Sequence, residues 1–107
     1  MKIFILLKFL QKIGDRMKTA IHRAEKGVIE VELKFENEFI QEIKITGDFF
    51  IYPEEAIEDL EKELVGIKIT ENDLDKKLQE IYLKNSISTP GITIRDWIVV
   101  ILKAINP

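Results

Sequence analysis

Few side chains in this 107-residue sequence have the chemistry of a catalyst. Cysteine is absent, which removes a thiol nucleophile, a disulfide framework, a zinc ribbon and an iron–sulfur site together. His22 is the one histidine, so a His-pair metal site is excluded, and nothing beside it in sequence marks a catalytic partner. Ser86 and Ser88, the only serines, lack a G-x-S-x-G frame and therefore a nucleophile elbow. The five glycines stand singly, so neither a phosphate-cradling loop nor a dinucleotide fingerprint can be built from them. Glu54, Glu55, Glu58 and Asp59 could in principle pair as acid and base, yet their spacing on a polar helix face is what solvation alone produces.

The signal that rises above this background is Thr46-Gly47-Asp48-Phe49-Phe50. Adjacent residues of a strand face opposite ways, so the two phenylalanines cannot enter one sheet face together. One is expected to cover the core beneath the following helix, and the other to be exposed or to meet a partner. Gly47 supplies backbone freedom for a tight turn and Asp48 a side chain that bonds nearby amides.

The elements that must position this motif follow from periodicity. Val28 to Phe35 alternates charge with Ile29, Val31, Leu33 and Phe35, which predicts a strand with one wet face. Glu36-Asn37-Glu38 predicts a turn in which Asn37 takes a positive φ. A second run from Ile40 to Thr46 changes phase between Ile40 and Ile43, which predicts a bulge near Gln41. Pro53 is expected to open a helix that buries Ile57, Leu60 and Leu64 and stops at a left-handed Gly66. Thr70 caps a second helix that buries Leu74, Leu78 and Ile81 and ends near Asn85. A third runs from about Thr93 to Ile105; its stretch Trp97 to Leu102 is apolar all round, so it is either a central helix or half of an interface anchored on Trp97 and widened by Val100. Strands followed by helices predict a small two-layer α+β domain: an antiparallel hairpin, with room for a third strand, and two to three helices on one face.

Charge is uneven along the chain. Residues 1–26 carry seven Lys/Arg against two acids, whereas residues 27–107 carry nine against seventeen. Residues 1–17 therefore read as a basic amphipathic extension, with Ile3, Leu6, Leu7, Leu10, Ile13 and Met17 at helical spacing, ahead of a domain spanning 18–107. Such a helix could make the chain a membrane-surface or regulatory adaptor. The initial apolar run is too short for a signal peptide or a membrane span, the net charge of −3 disfavours a nucleic-acid partner, and a cytoplasmic location is expected.

Lys26-Gly27-Val28-Ile29-Glu30-Val31, then Ile43-Lys44-Ile45-Thr46-Gly47-Asp48-Phe49-Phe50, then Ile57-Glu58-Asp59-Leu60-Glu61 with Leu64-Val65-Gly66, resembles the C-terminal accessory domain of lipoate–protein ligases. The resemblance covers residues 18–84 and, more loosely, the last helix. Ile51 stands where a further glycine often follows the two phenylalanines in that family. A catalytic domain of the family is more than twice this length, so the chain resembles the separate small subunit of a split ligase. That resemblance implies a catalytic partner subunit that binds lipoate and ATP, forms lipoyl-adenylate and passes lipoyl to a lysine of an acceptor protein. It further implies that this chain binds no cofactor alone and holds no catalytic residue. Gly27, Gly47, Asp48, Phe49, Phe50 and Gly66, with Trp97 and Val100, are the motif and interface candidates.

Overall fold

The computed structural model describes residues 17–106. The basic extension expected over residues 1–17 lies, apart from Met17, outside the described residues. Three strands, β1 (Lys18–Ala24), β2 (Gly27–Glu36) and β3 (Phe39–Asp48), precede three helices, α1 (Ala56–Glu63), α2 (Glu71–Lys84) and α3 (Ile94–Ile105). The strands form an antiparallel meander with β2 in the middle. The α+β class, the hairpin and the helical half match the expectation from periodicity, and the third strand is β1.

Alternation in β2 and β3 sends Ile29, Val31, Leu33, Ile40, Ile43 and Ile45 into one buried face. Asn37 and Glu38 both take positive φ in the connecting turn. The pairing passes from Lys34 with Glu42 to Phe35 with Ile40, leaving Gln41 as the extra residue of a bulge. That slip brings Ile40 back into phase with Ile43 and Ile45, so all three reach the core.

The helices cover this single face. α3 lies across β1 and β2, α1 lies on β3, and α2 packs against both other helices. α1 begins at Ala56 rather than at the expected Pro53. Pro53 and Glu55 instead accept the amides of Ala56 and Glu58 in turns that lead into the helix, so the acids of its first turn are Glu58 and Asp59. Gly66 follows the helix at φ +88°, as expected of a left-handed stop. Thr70 accepts the Asp73 amide at 3.1 Å and so caps α2. α3 carries a full capping box, in which Thr93 accepts the Asp96 amide and Asp96 accepts the Thr93 amide at 2.7 Å.

Both sheet edges receive hydrogen bonds from outside the sheet. Gly66 donates to Ile40, Ile40 donates to Ile67, and Ile69 donates to Glu38, so the segment after α1 lies along the start of β3. Further along, the Ile45 amide donates to the Glu61 carboxylate of α1 at 2.7 Å. On the other side of the sheet, Lys103 Nζ of α3 donates to the Ile21 carbonyl at 2.8 Å.

Candidate functional site

The motif residues come together at the corner where β3 leaves the sheet. Gly27 opens β2 at φ +147° and Gly47 stands near the end of β3 at φ +144°, angles that favour glycine. A Cβ at Gly47 would lie 2.2 Å from the Val28 carbonyl oxygen, and one at Gly27 would lie 2.6 Å from that of Asp48. The two glycines therefore let the backbones of β2 and β3 approach each other and aim the chain that follows.

Beyond the corner, residues 49–52 alternate. Phe49 and Ile51 pack on the core, while Phe50 and Tyr52 are 67% and 53% exposed. One phenylalanine inside and one outside is the split expected of neighbouring strand positions. The inward ring covers α3 rather than the helix that follows it: Phe49 meets Trp97 edge to face, with centroids 5.7 Å apart and planes at 81°. At the far end of the segment, Tyr52 exchanges two backbone hydrogen bonds with Ser88, at 2.9 and 2.8 Å. The exposed pair is thus carried on a backbone fixed at both ends. Asp48 is exposed at the start of this segment.

Trp97 and Val100 correct one of the two readings of the last helix. Both are fully buried within this chain, so in the domain they serve as core and not as a partner-facing band. Trp97 gains its polar partner from outside α3. Its Nε1 donates to the Tyr82 hydroxyl at 2.7 Å, Tyr82 donates to Thr89 Oγ1 at 2.8 Å, and Thr89 donates to the Ile92 carbonyl at 2.9 Å. This one-way relay joins α2, α3 and the loop between them and leaves each member satisfied. Burial pushes the Tyr82 hydroxyl pKa above the usual tyrosine value, against its hydrogen bonds with Thr89 and Trp97. Tyr82 and Thr89 were not legible as partners, since their contact depends on the path of the loop at residues 86–92.

His22 also gains a partner that its sequence neighbours do not reveal. Its Nε2 donates to Asp96 Oδ1 at 2.7 Å, across 74 residues, tying β1 to the first turn of α3. Burial raises the Asp96 pKa, but the Thr93 amide, His22 and the Thr93 hydroxyl together hold it below the usual carboxylate value. A depressed carboxylate stabilises the fold above its unfolded pKa, and that contribution is lost as pH falls through the folded value. Thermal melts of the wild type should therefore fall in midpoint below about pH 4, and Asp96→Asn should flatten that acid limb. Parallel acid limbs for the two proteins would contradict this account.

Two acids of α1 serve the fold: Glu61 holds the Ile45 amide at 2.7 Å, and Glu63 accepts from Lys84 and Asn85 at 3.2 and 3.1 Å. Among the described residues, no group of three or more His, Asp or Glu side chains is arranged to hold a metal ion, and no helix is long and apolar enough to cross a membrane. What the arrangement offers is a fixed corner that displays two aromatic rings.

Comparison with known proteins gives this corner a family. The family described as bacterial lipoate protein ligase C-terminus matches residues 17–101. Lipoate-protein ligase A subunit 2 of Thermoplasma acidophilum is 38% identical over 77 residues, covering 71% of this chain and 78% of that protein. A solved chain from the bi-partite lipoate protein ligase of Thermoplasma acidophilum, described with its E2 lipoyl domain, superposes with a TM-score of 0.71 at 33% identity, covering 78% of this chain and 92% of that one.

Proposed function

The chain belongs to the lipoate protein ligase C-terminus family, and from that premise we propose that it is the accessory subunit of a split lipoate–protein ligase. The observation that carries this reading is the extent of the structural match, which spans 92% of a chain from a ligase that is itself bi-partite. The partner is a catalytic subunit, which holds lipoate and ATP and forms lipoyl-adenylate before lipoyl passes to a lysine of an acceptor protein. The acceptor is met indirectly, through that subunit.

The physical task of such an accessory domain is positional. An acyl-adenylate is sensitive to water, and forming it requires the carboxylate and the α-phosphate to be held in line. A docked domain can order loops, exclude water and favour the closed state without contributing a reacting group. The membrane-surface adaptor is less well supported, because it rests on the basic residues 1–17 whereas the family match spans residues 17–101.

Lipoate-dependent ATP–pyrophosphate exchange tests the assignment. The purified chain alone should show none, the catalytic subunit alone little, and the mixture full exchange. Exchange by this chain alone, or no stimulation on mixing, would overturn the assignment.

A further inference from the structure

Among the described residues the exposed large apolar side chains are Ile21, Phe39, Phe50, Tyr52, Val65 and Leu83. Exposed apolar residues that stand singly are ordinary on a protein surface. Phe50 and Tyr52 differ, because they occupy alternate positions of one extended segment and so project to the same side of it. Their inward neighbours Phe49 and Ile51 pack on the core, which leaves the outer pair outside the core cluster and mostly exposed.

The backbone beneath the pair is already ordered. Gly27 and Gly47 fix one end by close approach, and the reciprocal hydrogen bonds of Tyr52 with Ser88 fix the other. Rings carried on a prepositioned segment lose little further freedom when covered, which is the property that makes aromatic side chains effective binding anchors.

Charge defines what could cover them. From Ile45 to Glu61 the sequence holds Asp48, Glu54, Glu55, Glu58, Asp59 and Glu61 and no Lys or Arg. Asp48, Glu54 and Glu55, which flank the aromatic pair in sequence, are all exposed and outnumber the exposed Arg23 and Lys26 that the sheet brings to the same corner. A complementary surface is an apolar socket with a basic rim, since an acidic rim would add like-charge repulsion to the cost of desolvation.

We propose that Phe50 and Tyr52, flanked by Asp48, Glu54 and Glu55, form the surface on which the catalytic subunit docks, through an apolar socket rimmed by Lys or Arg. The inference rests on the accessory-subunit reading above and names the face that reading requires. It assigns the exposed half of the Phe-Phe pair to binding and the buried half, Phe49, to the fold.

The test measures affinity for the purified catalytic subunit by calorimetry, using the full chain. Phe50→Ser and Tyr52→Ser should each weaken binding by about 30-fold, as expected of an interface anchor, with thermal midpoints near wild type. Leu83→Ser, an exposed apolar residue on α2, serves as the control and should bind as wild type does. The double variant E54K/E55K should slow association and flatten its dependence on salt. Wild-type affinity in both aromatic variants would overturn the docking surface while leaving the accessory role intact. Absence of any binding by the wild-type chain would overturn the accessory role and the surface with it. Should a serine variant melt early, Phe50→Leu and Tyr52→Leu replace it, and unchanged affinity in both would likewise overturn the surface.

Discussion

Val100→Asp should remove a large share of this domain's stability and lower its thermal midpoint steeply. Val100 is fully buried, in a cluster with Trp97, Ile98 and Ile101 on α3 and the apolar face of β2. A carboxylate placed there has no cation provided for it, and an uncompensated buried charge costs about 3–5 kcal/mol. Domains of this size have about 5–10 kcal/mol of stability in total, so the loss takes from about a third of it to all of it. Trp97 is the single tryptophan and reports the outcome directly through its fluorescence and near-ultraviolet circular dichroism. A variant as stable as the wild type that binds the catalytic subunit weakly would restore the reading of α3 as an interface. The conservative Val100→Ala removes two methyl groups and should cost about 1–3 kcal/mol with the transition still cooperative.

Gly47→Val is expected to destabilise by about 3 kcal/mol or more. Two effects add. The φ of +144° is one that a β-branched residue resists, and the new Cβ would stand 2.2 Å from the Val28 carbonyl oxygen, a backbone atom that cannot rotate away. Relief requires β2 and β3 to part at the corner that orients Phe49 and Phe50. Gly47→Ala meets the same collision and should cost nearly as much, which distinguishes a steric exclusion from a preference against branching. Gly66 supplies the contrast: its φ is +88°, but a Cβ there meets nothing within 4 Å, so Gly66→Ala should cost only about 1 kcal/mol. Equal midpoints for Gly47→Ala and the wild type, measured by chemical denaturation, would show that the corner can open without loss.

The strengths and gaps of the sequence as a guide have physical causes. β2 and β3 were legible because a sheet with one wet face imposes strict alternation, and even the slip at Gln41 shows in the phase of Ile40 against Ile43. β1 was not, because its inward positions are Ala20, His22 and Ala24 while the large apolar Ile21 points outward, 54% exposed. That inversion reflects a strand lying close beneath α3, where small side chains and a histidine paired with Asp96 fit. The helical half was legible from its stripes and caps, but the start of α1 was misplaced by three residues. Proline opens many helices, whereas here Pro53 sits in the turn before one. Whether Trp97 faced inward or outward could not be read from α3, whose apolar residues surround the helix. It is decided by Phe49 and Tyr82, which chain topology alone brings to it. Within the candidate site the close approach of Gly27 to the Asp48-Phe49 corner was equally hidden, since it depends on strand register rather than local spacing.

The Glu61 carboxylate on the Ile45 amide has a consequence for how this protein fails. An uncovered strand edge is a template on which another chain can add a strand, and addition repeated without closure builds fibrils. β3 is rich in β-branched residues and forms one border of the sheet, so it is the natural template here. Its opening stretch is sealed by the segment that follows α1, and its later stretch depends on Glu61, carried by an eight-residue helix. Ala56 and Leu60 of that helix are fully buried, so the later stretch of the edge stays covered only while α1 stays packed on the core. Keeping this edge covered is therefore a task that α1 performs alongside its share of the core, and a loss of its packing would open the domain to strand addition.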